Sequence, residues 1–122
     1  MKTNLQNKWR LPTIEEFKNV LHPNKNNIPN WKKNSSYWSS SENDYGYASF
    51  AWYFSFTSGG ANYGDKYFAL QVRAVRDVSN DSTNLSNSTI IGNLEIYNKD
   101  LVRMSWHEAL AAVEKLNNNK KH

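Results

Sequence analysis

Across "YASFAWYFSF" the residues Ala48, Phe50, Trp52, Phe54 and Phe56 alternate strictly with Tyr47, Ser49, Ala51, Tyr53 and Ser55. Period-two alternation predicts a central strand with one buried face and one at least partly wet. Upstream the period changes. Ile14, Phe17, Val20 and Leu21 fall on one helical stripe, opened by a capping box from Thr13 to Glu16 and stopped at His22-Pro23. From Pro23 to Ser36 the chain is polar and irregular, with Trp31 as its large anchor. "YWSSSE", Tyr37 to Glu42, reads as a short strand before a turn through Asn43, Asp44 and Gly46.

After the aromatic strand, "TSGGANYGD" is too long and glycine-rich for a two-residue hairpin and reads as a presented loop. "KYFALQVRAVR" then predicts a strand with Phe68, Leu70, Val72 and Ala74 on one face, and Asp77 to Thr89 has the composition of a flexible linker. "IIGNLEIYN" resumes strand character. Ser105 and Glu108 form a second capping box, for a helix carrying Trp106, Ala109, Val113 and Leu116 on one side.

Segregated strands and helices argue an α+β fold, two short helices on a mainly antiparallel twisted sheet with long loops. Ile90 to Asn98 is expected antiparallel beside Tyr67 to Arg76, with Leu94 and Ile96 facing the core of Leu70 and Val72, since neither segment can bury its alternating face alone. The second helix should pack on that sheet near the first. A chain of 122 residues makes this one domain: a main block over 1–77, a linker over 78–89 and a strand and helix over 90–122.

Composition narrows the chemistry. With no cysteine, disulfides, thiolate metal sites and thiol nucleophiles are excluded. The charge of +4 raises the question of nucleic acid, but Lys and Arg are scattered from Lys2 to Lys121, so a solvated surface is expected and no nucleic-acid partner. No stretch approaches a membrane span, and "MKTNLQNKWR" lacks the apolar centre of a signal peptide; a leader, if the protein is exported, would lie outside this sequence.

No enzyme is expected. Ser39-Ser40-Ser41 has no nucleophile elbow, and its hydroxyls are read as satisfying backbone groups at a turn. His22 and His107 sit at a helix end and a helix first turn, and Glu15, Glu16, Glu108 and Glu114 have helix-surface explanations. No cofactor is implied. Metal ligands are read as absent, with Asn43, Asp44 and Asp65 the acidic and amide groups that neighbouring loops would bring closest to a calcium site. Trp9, Trp38, Trp52 and Trp106 are read as core. Arg10, Arg73 and Arg76 either bind an anionic ligand or tie loop carbonyls and carboxylates together.

"WRLPTIEEF", "YWSSSE", "AWYFSF" and "VRAVR", in this order from Trp9 to Arg76, resemble the C-terminal domain family of bacterial collagen-like adhesins, the Lcl-C type. The resemblance implies a bacterial or phage C-type lectin-like fold, a scaffold role for the three arginines, and a place on a cell surface, in secretion or on a virion. That family carries a strand like "IGNLEIYNKD" and a helix like "MSWHEALAAVEKL" before its "WRLPT". Here both follow "VRAVR", which implies a circular permutation or a frame shifted by part of a tandem repeat.

For function this leaves a polar, tyrosine-rich surface on loops and the wet strand face: Asn43, Asp44, Tyr45, Tyr47, Tyr53, Asn62, Tyr63 and Asp65, with Tyr67 nearby. Tyrosine supplies contact area and a hydroxyl at low entropic cost; the same tyrosines also suit covering a sheet edge. The first reading is a non-enzymatic module recognising a glycan, a sulfated polysaccharide included, or a protein surface. The second is an assembly subunit, a homo-oligomer completed by strand and helix exchange.

Overall fold

The computed structural model describes residues 8–42, 49–78 and 87–118. Thr13 caps the first helix, α1 (Ile14–Glu16). Its hydroxyl accepts the Glu16 amide at 3.1 Å and the Glu16 carboxylate accepts the Thr13 amide at 3.0 Å, so protons that a helix start leaves bare are satisfied. The chain runs on as a π-turn, Phe17–Leu21, which the His22 amide closes by donating to the Phe17 carbonyl at 2.9 Å. Past Pro23, Asn24 Nδ2 donates to the Val20 carbonyl at 2.7 Å and finishes the helix end.

Among the described residues the strands are β1 (Ser36–Glu42), β2 (Phe50–Ser55), β3 (Gly60–Asp65), β4 (Leu70–Val72), β5 (Val75–Asp77), β6 (Ser88–Ile91), β7 (Leu94–Tyr97) and β8 (Leu101–Met104), followed by helix α2 (Trp106–Asn118). They form a five-stranded sheet, β3-β2-β1-β4-β8, and a three-stranded one, β5-β7-β6. Only β1 with β4 is parallel. The fold is α+β with a mainly antiparallel sheet system.

Successive residues of a strand face opposite sides, and here both sides of β1 are buried. Tyr37 and its register partner Phe54 join Phe17, Leu21, Phe56, Val75, Leu94 and Ile96 in one cluster, where Phe17 stacks on Phe54 at 5.5 Å between ring centres. Trp38 turns to the other cluster, with Leu11, Ala51, Val72, Trp106, Ala109 and Val113. α1 and its π-turn cover the first face and α2 covers the second.

β2 keeps the partly wet second face expected of it, with Tyr53 and Ser55 partly exposed, although Ala51 is fully buried in the cluster that α2 completes. Several expectations are corrected. "TSGGANYGD" is not a presented loop: Gly60 to Asp65 pair residue for residue with β2 after a turn at Gly59 (φ +76°). The open edge of β2 outweighs the poor strand propensity of Gly and Asn. "KYFALQVRAVR" is not one strand. Tyr67 and Phe68 are 83% and 53% exposed, and the chain changes sheets at Arg73-Ala74 because Arg73 turns inward. "IIGNLEIYN" folds as the β6–β7 hairpin, turning at Gly92 with φ +61°. β7 does lie antiparallel to Val75–Asp77, but Leu94 and Ile96 pack with Phe17 and Val75, on the cluster opposite to Leu70 and Val72. α2 accordingly sits across the sheet from α1. The expected linker is shorter at both ends, Asp77 belonging to β5 and Ser88 and Thr89 to β6, and its residues 79–86 lie outside the described residues.

The three arginines tie these parts together. Arg73 is fully buried; its Nε donates to Asp100 at 2.7 Å and its two terminal nitrogens donate to the carbonyls of Pro29, Asn30 and Tyr97 at 2.8–3.1 Å, with the guanidinium 4.6 Å over Trp31. Arg76 grips the buried Glu95 with two bonds and lies 4.4 Å over Trp9. Arg10 joins Glu16 to Asp77. Their donors are spent inside the scaffold, as bidentate guanidinium geometry favours.

Two outcomes test this architecture. A chain ending at Asp77 loses β6, β7, β8 and α2 and opens Trp38, Val72 and Val75, each now 0% exposed; it should be insoluble or melt without cooperativity. A soluble, cooperatively melting fragment would mean the C-terminal third is an appendage. Asp100→Ala strands the Arg73 charge in the core and should cost about 3 kcal/mol or more in denaturant unfolding; a loss below about 1 kcal/mol would mean the pair is not structural.

Candidate functional site

β1 changes character halfway along. Trp38 opposes Tyr53 and Glu42 opposes Ala51, so Ser39, Ser40 and Ser41 together face Trp52. The Ser39 hydroxyl donates to the Trp52 carbonyl at 2.7 Å and accepts the Ser41 amide at 3.1 Å, while Trp106 Nε1 donates to the Ser39 carbonyl at 2.8 Å. The Ser39 hydroxyl thus satisfies backbone groups, at a bulge within the strand rather than at a turn. The bulge swings Glu42 to the end of the sheet, where β2 begins and β3 ends.

At this end the predicted site residues divide. Asn43, Asp44, Tyr45 and Tyr47 lie outside the described residues. Tyr53 is on β2 as expected, while Asn62, Tyr63 and Asp65 are on β3 and not on a loop. Partners in register share a face, which puts Tyr53 with Asn62 on the α2 side and Tyr63 with Trp52, and Asp65 with Phe50, on the α1 side. Tyr53 packs edge-on to Trp38 at 6.1 Å, and Asp65 Oδ1 accepts the Tyr67 amide at 2.9 Å. The four described positions therefore divide between the two faces of the sheet.

What comes together instead is an aromatic shelf. Phe50, Trp52 and Tyr63 sit side by side on the α1 face, with Tyr63 tilted against Phe50 at 5.8 Å and edge-on to Trp52 at 5.1 Å. Trp52 is half-buried and belongs to neither core cluster, which corrects its reading as core; a cleft lies between it and Ile14 and Lys18. Tyr63 is 40% exposed. Beside the shelf lies a cleft of about 290 Å³ lined by Ile14, Lys18, Ser41, Glu42, Trp52 and Ala61. Flat ring faces beside a lysine, a carboxylate and a hydroxyl suit a ligand with one apolar face and a polar rim.

Glu42 stands at the border of the shelf. Lys66 donates to its Oε2 at 2.8 Å, and this hydrogen bond, with the charge behind it, holds the Glu42 carboxyl below its usual range. A larger cleft, about 310 Å³ between Glu16, Asn24, Asp77 and Asn93, has both carboxylates engaged by Arg10. Among the described residues no three His, Asp or Glu side chains gather to hold a metal ion. No described helix is long and apolar enough to cross a membrane.

An α+β scaffold with interior arginine ties and an aromatic strand pair left half open at one end defines a small sheet-based domain. Residues 2–76 match the model of the Lcl C-terminal domain family. The match covers more than half of the chain, and the chain belongs to that family. No curated protein and no solved structure matches it.

Proposed function

We propose that this domain is a non-enzymatic binding module that recognises a glycan by stacking a sugar ring on the shelf of Phe50, Trp52 and Tyr63. The observation that carries the reading is that three aromatic rings lie outside both cores on a rigid sheet. The apolar face of a pyranose matches such rings, and the polar rim supplied by Lys18, Ser41 and Glu42 suits its hydroxyls. A non-enzymatic role is supported by Ser39, whose hydroxyl is buried and engaged. The C-type lectin-like fold with a shifted element order belongs to the same proposal. It draws support from the meeting of Trp9 and Asn117, where the Trp9 amide donates to Asn117 Oδ1 at 2.7 Å and Asn117 Nδ2 donates to the Trp9 carbonyl at 3.1 Å.

Screening on a glycan array at two salt concentrations should give hits that survive added salt, because stacking is not screened as charge is. Trp52→Ala and Tyr63→Ala should each weaken those hits by at least about tenfold while costing no more than about 1 kcal/mol of stability. A folded protein that binds no glycan, or one whose hits are untouched by Trp52→Ala, would sink the sugar reading.

A second reading, a subunit that assembles with copies of itself, is favoured by β8, an edge strand whose Val102 is 75% exposed. Light scattering behind size-exclusion chromatography should then report a mass that grows with concentration. A constant monomer mass removes this reading.

A further inference from the structure

On the other side of Glu42 is a second cleft, of about 260 Å³, lined by Ser49, Lys66, Tyr67 and His107. Lys66 is the unusual member. Its side chain is 8% exposed, whereas that of its partner Glu42 is 59% exposed, so the pair joins a dry cation to a wet anion. An ammonium carries three donors. One reaches Glu42, the Trp106 face lies 4.5 Å away, and among the described residues Nζ has no second acceptor. A desolvated cation with one screened counter-ion is poorly balanced.

The groups that line the cleft suit an anion. Among the described residues no carboxylate lines the cleft; its other groups are two hydroxyls and an imidazole. α2 starts here, the Trp106 amide donating to the Lys66 carbonyl at 2.9 Å, with His107 in the first turn and Glu108 already capping Ser105. Glu42 already demonstrates the fit of one chemistry, a carboxylate oxygen 2.8 Å from this ammonium. Because Glu42 is exposed, it returns to water at little cost.

We propose that this cleft binds the carboxylate of an acidic ligand, which takes the place of Glu42 on Lys66, with Ser49, Tyr67 and His107 at its rim. Glu42 is then a resident stand-in that keeps the buried ammonium paired until the ligand arrives. The site borders the aromatic shelf at Glu42 but uses none of its rings, so it stands or falls without it.

The experiment is a titration of the whole chain with glucuronate, acetate, methyl glucoside and sulfate, followed by NMR on the Lys66 and His107 side chains. Glucuronate should shift both sets of resonances, and methyl glucoside at the same concentration should not. Glu42→Gln removes the competitor and should bind glucuronate about two- to fivefold tighter, the factor an exposed ion pair is worth. Lys66→Met should abolish the response. Because that change alters a buried position, Tyr67→Phe and His107→Ala, both at exposed residues, should each weaken binding with the melting temperature unmoved. Acetate acting as well as glucuronate supports the carboxylate site and takes the sugar ring out of it. Trp52→Ala should leave the glucuronate response intact, which separates this site from the shelf. The proposal is overturned if Glu42→Gln binds no tighter, if methyl glucoside shifts the same resonances, or if sulfate displaces glucuronate at equal concentration.

Discussion

Everything between the two sheets hangs on one buried guanidinium. Arg73 sits where the chain leaves the five-stranded sheet for the three-stranded one, and its nitrogens reach the Pro29–Asn30 turn, the end of β7 and Asp100 just before β8. Each of these segments is irregular there and has carbonyls that no ladder satisfies. An arginine answers this need because its planar fork offers several donors in fixed directions. Asp100 is shared: its second oxygen accepts the Tyr37 hydroxyl at 2.8 Å, and Tyr37 stacks on Trp31 at 4.4 Å. Burial pushes the Tyr37 phenol well above its ordinary range. Charge, hydroxyl and stacked rings form one network, and removing a member leaves the others buried without partners.

The features legible in the sequence were those set by neighbours along the chain. Both capping boxes are in place, Thr13 with Glu16 and Ser105 with Glu108, because a cap involves residues three apart and little else. The helical stripes and the aromatic strand were readable for the same reason. β3 was not, since Gly60, Asn62 and Gly64 carry weak strand signals and the strand exists because β2 offers an edge. The β6–β7 hairpin was hidden because Gly92-Asn93 interrupts a run short enough to pass for one strand.

The site was less legible than the fold, and Trp52 is the reason. Alternation assigns Trp52 and Phe54 to one face, and so it does; it carries no information on where the covering helix stops. Phe54 lies under Phe17 and Trp52 lies beyond it, which turns one aromatic stripe into part core and part shelf. The tyrosines were separated by the same parity. Tyr53 and Tyr63 look alike in sequence, yet the register that sets Tyr63 against Trp52 sends Tyr53 to the opposite side. The bulge did leave a trace: "WSSSE" places three small polar residues in mid-strand, as a bulge requires, and a bulge near a sheet end redirects the side chains beyond it, here Glu42.

The clasp between Trp9 and Asn117 also determines how the domain carries load. Its paired amide bonds close the molecule at residues 108 positions apart, with Lys8 and Glu114 3.6 Å apart alongside. Whatever is attached upstream of Trp9 and downstream of Asn117 leaves from one spot. Tension between two such attachments would be borne by a few bonds in series at that spot and would peel α2 away from Trp9 first. A pull from a ligand on the shelf against either attachment would instead cross the sheet. The two ends of the described chain are thus held to each other by one amide pair, while the route from either end to the far sheet edge runs through the packed core.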